Sequence, residues 1–206
     1  MSASSEIAEL NGGARVAVFA SGSGSNALSL MRRFNLENKQ AIVAVLVSNK
    51  PECGAVRHAK ECGVEVILIN HENFVSGTEI IERLNTLKID WIVLAGFLWK
   101  VPIQFVKAFD RRIINLHPSL LPKYGGKGMY GKHVHEAVVA ARESETGITL
   151  HLVNENYDEG EIIFQAAVAV DVSDDAIAVE AKVRELERRY FTEQVAAFIN
   201  RNGGVE

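Results

Sequence analysis

The feature that most constrains this chain is a repeated alternation of short, β-rich apolar runs with segments of helical spacing. "RVAVFA" (15–20), "AIVAVLVS" (41–48), "VEVILIN" (64–70) and "DWIVLA" (90–95) read as strands. The second run lacks polar alternation, which predicts a strand buried on both faces. Helices are predicted from Asn26 to about Phe34, from near Pro51 to Gly63, and from about Gly77 to Leu87. Proline near the start and glycine at the end of the second of these is the usual asymmetry. Strand–helix repeats of this kind demand a parallel sheet with right-handed crossovers.

After Gly96 the pattern changes. A short helix after Pro102 leads to a brief strand, "RIIN" (112–115), and then a Gly- and Pro-rich loop, "HPSLLPKYGGKGMYGKH". A helix over 134–142 follows, then the runs "GITLHLV" (147–153) and "EIIFQAAVAV" (161–170). Their short link, "NENYDEG", suits antiparallel neighbours. The last predicted element is an amphipathic helix over 174–200, opened by the capping cluster Ser173-Asp174-Asp175. The expected architecture is a single α/β domain: a mostly parallel twisted sheet, helices on both faces, and an antiparallel C-terminal part.

Composition narrows the functional class. A chain of 206 residues, 48% hydrophobic and 23% charged, is large enough for one proper core. A net charge of -4 gives no sign of a surface for nucleic acid or an anionic membrane, while leaving room for an anion at a helix N-terminus. No apolar run approaches the ~20 residues that span a bilayer. The opening stretch "MSASSEIAELNGGA" (1–14) lacks the basic start and apolar core of a signal peptide and reads as a loose tail, with the folded domain at 15–206. Cys53 and Cys62, on one expected helix, are read as two free thiols of a cytoplasmic protein, monomer or homodimer.

Two motifs carry chemistry. In "FASGSGSNAL" (19–28), Gly22, Gly24 and Ala27 have the G-x-G-x-x-A spacing of a phosphate-binding turn between strand and helix. A dinucleotide site also needs an acid ending the second strand, but Ser48-Asn49-Lys50 stands there, so a phosphomonoester fits better than NAD. A tight turn without a ligand would show the same spacing. In "INLHPSLLP" (114–122), Asn115 and His117 leave one face of an extended segment, an amide and an imidazole able to meet an oxyanion or move a proton. A carboxylate beside His117 would favour its charged form. Glu155, Asp158, Glu159 and Glu161 all qualify by position.

With "ASGSGSN", "LAGF", "NLHPSLLPKY", "HVHEA" and "GITLHLVNENYDEG", the chain resembles the phosphoribosylglycinamide formyltransferases of the formyltransferase superfamily over about residues 15–200. The resemblance implies formyl transfer from 10-formyltetrahydrofolate to the amine of glycinamide ribonucleotide, with no metal. By residue match it implies Asn115, His117 and Asp158 as the catalytic trio, with Asp158 holding His117 charged. Gly24, Ser25 and Asn26 match the phosphate loop, with Arg184 near the phosphate; Glu187 and His133 match substrate contacts. Leu94, Gly96, Phe97, Leu98 and Asn115 are expected along the folate cleft. His135 reads as helix packing, His151 as buried or supporting, and 125–131 as a mobile cover.

Two departures stand out: Leu98-Trp99-Lys100 replaces a frequent Met-Arg, and loop 125–131 is longer than the common form. Methionyl-tRNA formyltransferases share the trio but add a C-terminal domain and a basic surface. Formyltetrahydrofolate hydrolases add an N-terminal regulatory domain. The ending at residue 206, the negative charge and the short N-terminal stretch are expected to set this chain apart from both. A non-catalytic nucleotide-binding module would explain the glycine loop but not the trio.

Overall fold

The structure, a computed structural model, describes residues 13–37 and 41–203. In chain order the elements are β1 (Ala14–Phe19), α1 (Ser25–Arg32), β2 (Ala41–Ser48), α2 (Gly54–Glu61), β3 (Glu65–Leu68), α3 (His71–Ser76) and α4 (Thr78–Thr86). They continue with β4 (Trp91–Leu94), α5 (Ile103–Ala108), β5 (Ile113–His117), α6 (Lys132–Ala140), β6 (Glu145–Leu152), β7 (Ile162–Ala169) and α7 (Ala176–Asn202). One turn of π-helix, Arg33–Glu37, extends α1.

The strands form one seven-stranded sheet in the order β3-β2-β1-β4-β5-β6-β7. From β3 to β5 neighbours run parallel. β6 runs antiparallel to β5, and β7 antiparallel to β6. The expected mixed sheet is therefore present, with the antiparallel part at its C-terminal edge.

Side-chain alternation divides the core between the two faces. Val16 and Val18 of β1 pack with Leu30 and Met31 of α1, Ala55 of α2, and Phe191, Val195 and Ile199 of α7. Ala17 and Phe19 point the other way, to Phe74 of α3, Leu84 of α4 and Phe105 of α5. Each such buried large side chain contributes roughly 1.5–3 kcal/mol, and truncating one leaves a cavity besides. The N-terminal half of α7 serves the antiparallel part: Val179 and Val183 pack on Val138 and Ile148. Asp175 caps α7 by accepting from the Ala178 N–H at 2.8 Å.

Three local differences from the expectation have physical causes. The segment 71–76 is helical because Asn70 and Asn73 cap one another reciprocally, each side chain accepting the other's N–H at 2.9 Å. Gly77, at φ +73°, separates α3 from α4. β5 runs on to His117, so both candidate catalytic residues sit on the strand itself, and Pro118 ends it. The tail expected over 1–14 lies, for residues 1–12, outside the described residues, while Ala14 already opens β1. Among the described residues no helix is long and apolar enough to cross a membrane.

Candidate active site

The strand order reverses at β1, which has β2 on one side and β4 on the other. In open α/β sheets the crevice beyond the carboxyl ends of the strands at such a reversal is where ligands bind. Here those ends open on a cavity of about 940 Å³. Its lining includes residues 22–26 after β1, 94–101 after β4 and 115–118 at the end of β5. Asp158, Glu187 and Arg184 close it from the β6–β7 turn and from α7.

The glycine loop is a backbone device. Gly24 has φ +80°, and a Cβ there would lie 2.4 Å from the Ala55 Cα. Opposite it, a Cβ on Gly54 would lie 2.1 Å from the Ser23 carbonyl oxygen. These two glycines let the start of α2 interlock with the loop, so Gly24 serves packing as well as turn geometry. The Ala55 N–H donates to the Gly22 carbonyl at 3.3 Å, and the Ser21 hydroxyl to Asn49 Oδ1 at 2.7 Å. Asn49 thus holds the loop where a dinucleotide fold would present an acid. The first intrahelical bond of α1 runs from Leu28 N–H to Gly24 C=O, leaving the preceding N–H groups outside the helical ladder at the cavity end of the axis. The Asn26 amide donates to Glu187 Oε2 at 2.9 Å, joining the loop to α7.

At the other end the sheet gathers a polar network. His117 and Asn115 leave the same face of β5, with Leu116 packing on the opposite one. His117 Nε2–H donates to the Tyr124 carbonyl at 2.8 Å, which leaves Nδ1 facing Asp158 Oδ2 at 3.6 Å. His151, directly across the antiparallel ladder from Asn115, donates Nδ1–H to the Leu152 carbonyl at 2.9 Å. In its neutral form the ring then has a lone pair at Nε2, and this accepts from the Asn115 amide at 3.0 Å. One Asn115 N–H is engaged in this way and the other is left for a ligand. His151 Nε2 also stands 3.6 Å from Asp158 Oδ1.

Asp158 has φ +55° and Tyr124 φ +56°, left-handed conformations that are uncommon without glycine. Both touch His117, so the local strain falls on the groups that position the imidazole. Asp158 is further held by the Gly126 N–H at 2.9 Å. The other three acids of the turn lie elsewhere: Glu161 pairs with Arg111 at 2.6 Å, Glu159 accepts from Asn156 at 2.9 Å, and Glu155 is exposed.

The charge of His117 differs from the expectation. Burial pushes the imidazole below its ordinary value, and Asp158 and the Tyr124 carbonyl only partly reverse this. The resting ring is neutral at pH 7, because a side chain 3% exposed loses more hydration than one carboxylate at 3.6 Å returns. Burial raises Asp158, but the neighbouring rings of His151 and His117 and the Gly126 N–H outweigh it and leave the carboxyl low. Glu187 goes the other way: burial raises it, against the Asn26 amide and Arg184.

The remaining predicted residues fall into two groups. Gly24, Ser25, Asn26, Leu94, Gly96, Phe97, Leu98, Arg184 and Glu187 all line the cavity. Arg184 does so while paired to Glu180 at 2.6 Å. His133 does not: its ring is half exposed, 3.4 Å from Glu136 and against Tyr130. Because α6 starts at Lys132, His135 is turned about 200° from His133 and takes the cavity wall instead. Of the departing residues, Trp99 packs on Phe74, Phe97 and His71, while Lys100 Nζ lies 4.6 Å over the Tyr157 ring.

Sequence reasoning did not single out Tyr124, whose carbonyl accepts from His117, and it read His135, a residue of the cavity lining, as helix packing. The role of His151 becomes readable only once the β5–β6 register is known. Among the described residues no three His, Cys, Asp or Glu side chains converge as a metal site.

The formyl transferase family model matches residues 14–195. The chain is 39% identical over 187 residues to the chloroplastic phosphoribosylglycinamide formyltransferase of Vigna unguiculata, covering 89% of this chain and 60% of that one. It is 32% identical over 192 residues to the phosphoribosylglycinamide formyltransferase of Bacillus subtilis, covering 91% and 96%. A crystal structure of the Bacillus halodurans phosphoribosylglycinamide formyltransferase superposes with a TM-score of 0.82 at 32% identity, over 90% of this chain and 95% of that one.

Proposed function

The chain belongs to the formyl transferase family, and on that premise we propose that it moves the formyl group of 10-formyltetrahydrofolate to the amine of glycinamide ribonucleotide. The observation that carries the reading is one cavity with two unlike ends. Backbone N–H groups and a helix start converge after β1, and a buried amide–imidazole–carboxylate network sits after β5.

In this reading the ribonucleotide phosphate lies at Gly24, Ser25 and Asn26, where the α1 dipole favours an anion and Arg184 adds charge. The Glu187 carboxylate is held for the acceptor by Asn26. The folate ring system lies along Leu94, Gly96, Phe97 and Leu98, an apolar wall beside Asn115. The neutral amine attacks the formyl carbon and a tetrahedral oxyanion forms. The free Asn115 N–H donates to that oxygen. His117, neutral at rest and with Nε2 engaged by Tyr124, takes the amine proton at Nδ1 and returns it to the departing folate nitrogen. Asp158 stabilises the imidazolium while the proton is held, so the carboxylate acts on a transient charge. No step calls for a metal, because the formyl donor is already activated. We propose further that the enzyme works in the cytoplasm, as a monomer or homodimer, without nucleic acid or membrane; the net charge of -4 and the two free thiols support this.

The test is release of tetrahydrofolate from 10-formyltetrahydrofolate by the purified chain, with and without glycinamide ribonucleotide. Acceptor-dependent release is the expected result. Equal release without acceptor would make water the acceptor and the chain a hydrolase.

A further inference from the structure

His135 lies at the cavity, and the proposed chemistry gives it no task. It sits on α6 beside Val134 and Val138, both fully buried, and is itself 4% exposed. The residue nevertheless belongs to the cavity lining. Nδ1 has no hydrogen-bond partner among the described residues. One other buried side-chain atom there shares this condition, the Thr146 hydroxyl, and Thr146 is not part of the cavity wall.

A histidine placed only to pack would be better replaced by an apolar side chain, since a buried nitrogen without a partner loses the bonds it makes in water. The charged and titratable groups acting on it are Glu180 and Arg184 of α7 and His117 of β5, all on the same cavity wall. His135 is therefore within electrostatic reach of both His117 and the Glu180–Arg184 pair. Burial holds its ring below the ordinary value, so at pH 7 it has one N–H to donate and one lone pair to accept. A sugar hydroxyl, able either to donate or to accept, can meet whichever of these roles the ring turns to the cavity.

We propose that His135 is a substrate-contacting residue that hydrogen-bonds a ribose hydroxyl of the phosphorylated acceptor at the wall formed by Glu180 and Arg184. The inference rests on the reading of the cavity as the site of a ribose phosphate. It assigns the contact to His135 and not to His133, which the helix phase turns to solvent.

Kinetics of the full chain with His135→Phe test it. The variant keeps a flat aromatic ring, slightly larger than imidazole, and removes both polar atoms. The expected result is an acceptor KM raised roughly tenfold. The kcat and the folate KM should stay within about twofold, and thermal stability should be unchanged or higher. An unchanged acceptor KM together with raised stability would overturn the proposal and leave a packing histidine. Should His135→Phe fail to fold, the wild-type ring nitrogens followed by NMR carry the test. Ribose 5-phosphate should shift the His135 resonances and inorganic phosphate should not. Resonances that stay still under saturating ribose 5-phosphate would overturn the contact. If the ring shifts while the chain shows no acceptor-dependent transfer, the contact stands and the formyl-transfer reading fails.

Discussion

The two ends of the cavity are built from different materials. At the end after β1 the polar groups are backbone N–H donors, and two glycines interlock the loop with the start of α2, Gly24 against Ala55 and Gly54 against Ser23. At the end after β5 the working groups are side chains. His117 is 3% exposed and His151 2%, and each imidazole has one nitrogen tied to a main-chain carbonyl. Anchoring an anion needs fixed donors that solvent can reach, and a helix start supplies them without a titrating group. Moving a proton needs a group whose charge can change, and burial makes that charge depend on what binds beside it. Substitutions should therefore separate the ends, with damage to binding on one side and to turnover on the other.

The largest break is expected at the reacting end. Asn115→Ala or His117→Ala should lower kcat roughly 10²-fold or more, the scale for losing one donor to an oxyanion. The acceptor KM should change little, and steady-state kinetics with both substrates varied would read the split. Full activity in either variant would remove the assignment. At the anchoring end, Gly24→Ala forces a Cβ to 2.4 Å from the Ala55 Cα at a positive φ. It should cost about 1–3 kcal/mol in denaturant unfolding and raise the acceptor KM, while kcat at saturation survives.

Two smaller effects sharpen the electrostatic contrast. His117 and His135 are both held below the ordinary histidine value by burial. As pH falls through about 6.5 the unfolded chain binds protons that the folded chain refuses, so stability present above that pH is lost below it. The slope should approach ~1.4 kcal/mol per pH unit for each ring, and thermal unfolding between pH 7.5 and 5.5 would measure it. His117→Phe with His135→Phe should flatten the curve. Glu187 is raised by burial, so its contribution is present below the ordinary carboxylate range and is lost as pH rises through the folded value. Glu187→Gln should therefore raise stability at pH 7, by the order of 1 kcal/mol, while weakening acceptor binding. A destabilised Gln variant would show that the charged form is the favoured one.

Much of this was legible in the chain. β2 was expected over 41–48 and spans Ala41–Ser48, because an unbroken β-branched run between a helix end and a turn has few other readings. That Asn115 and His117 leave one face was readable from period-2 spacing; their catalytic assignment came with the family resemblance. The choice of Asp158 among four acids came with the family resemblance, since turn carboxylates have no periodicity to separate them. The geometry then brings Asp158 to His117 and His151 and turns Glu161 to Arg111. His133 came with the family resemblance and His135 was read as helix packing; with α6 starting at Lys132, the structure puts His135 and not His133 on the cavity wall. The neutral state of His117 was not legible either. One neighbouring carboxylate can be found in a sequence, but the burial that outweighs it is a property of the packed sheet.

The most direct measurement compares glycinamide ribonucleotide with its dephosphorylated riboside as acceptors for the wild-type chain. If one end anchors phosphate through the loop after β1 and the other end does the chemistry, the riboside should still be formylated. Its kcat/KM should be lower by roughly 10²-fold, the loss of about two charge-assisted hydrogen bonds, and the deficit should appear in KM. Equal kcat/KM for the two acceptors would contradict the account, because the glycine loop would then hold no phosphate.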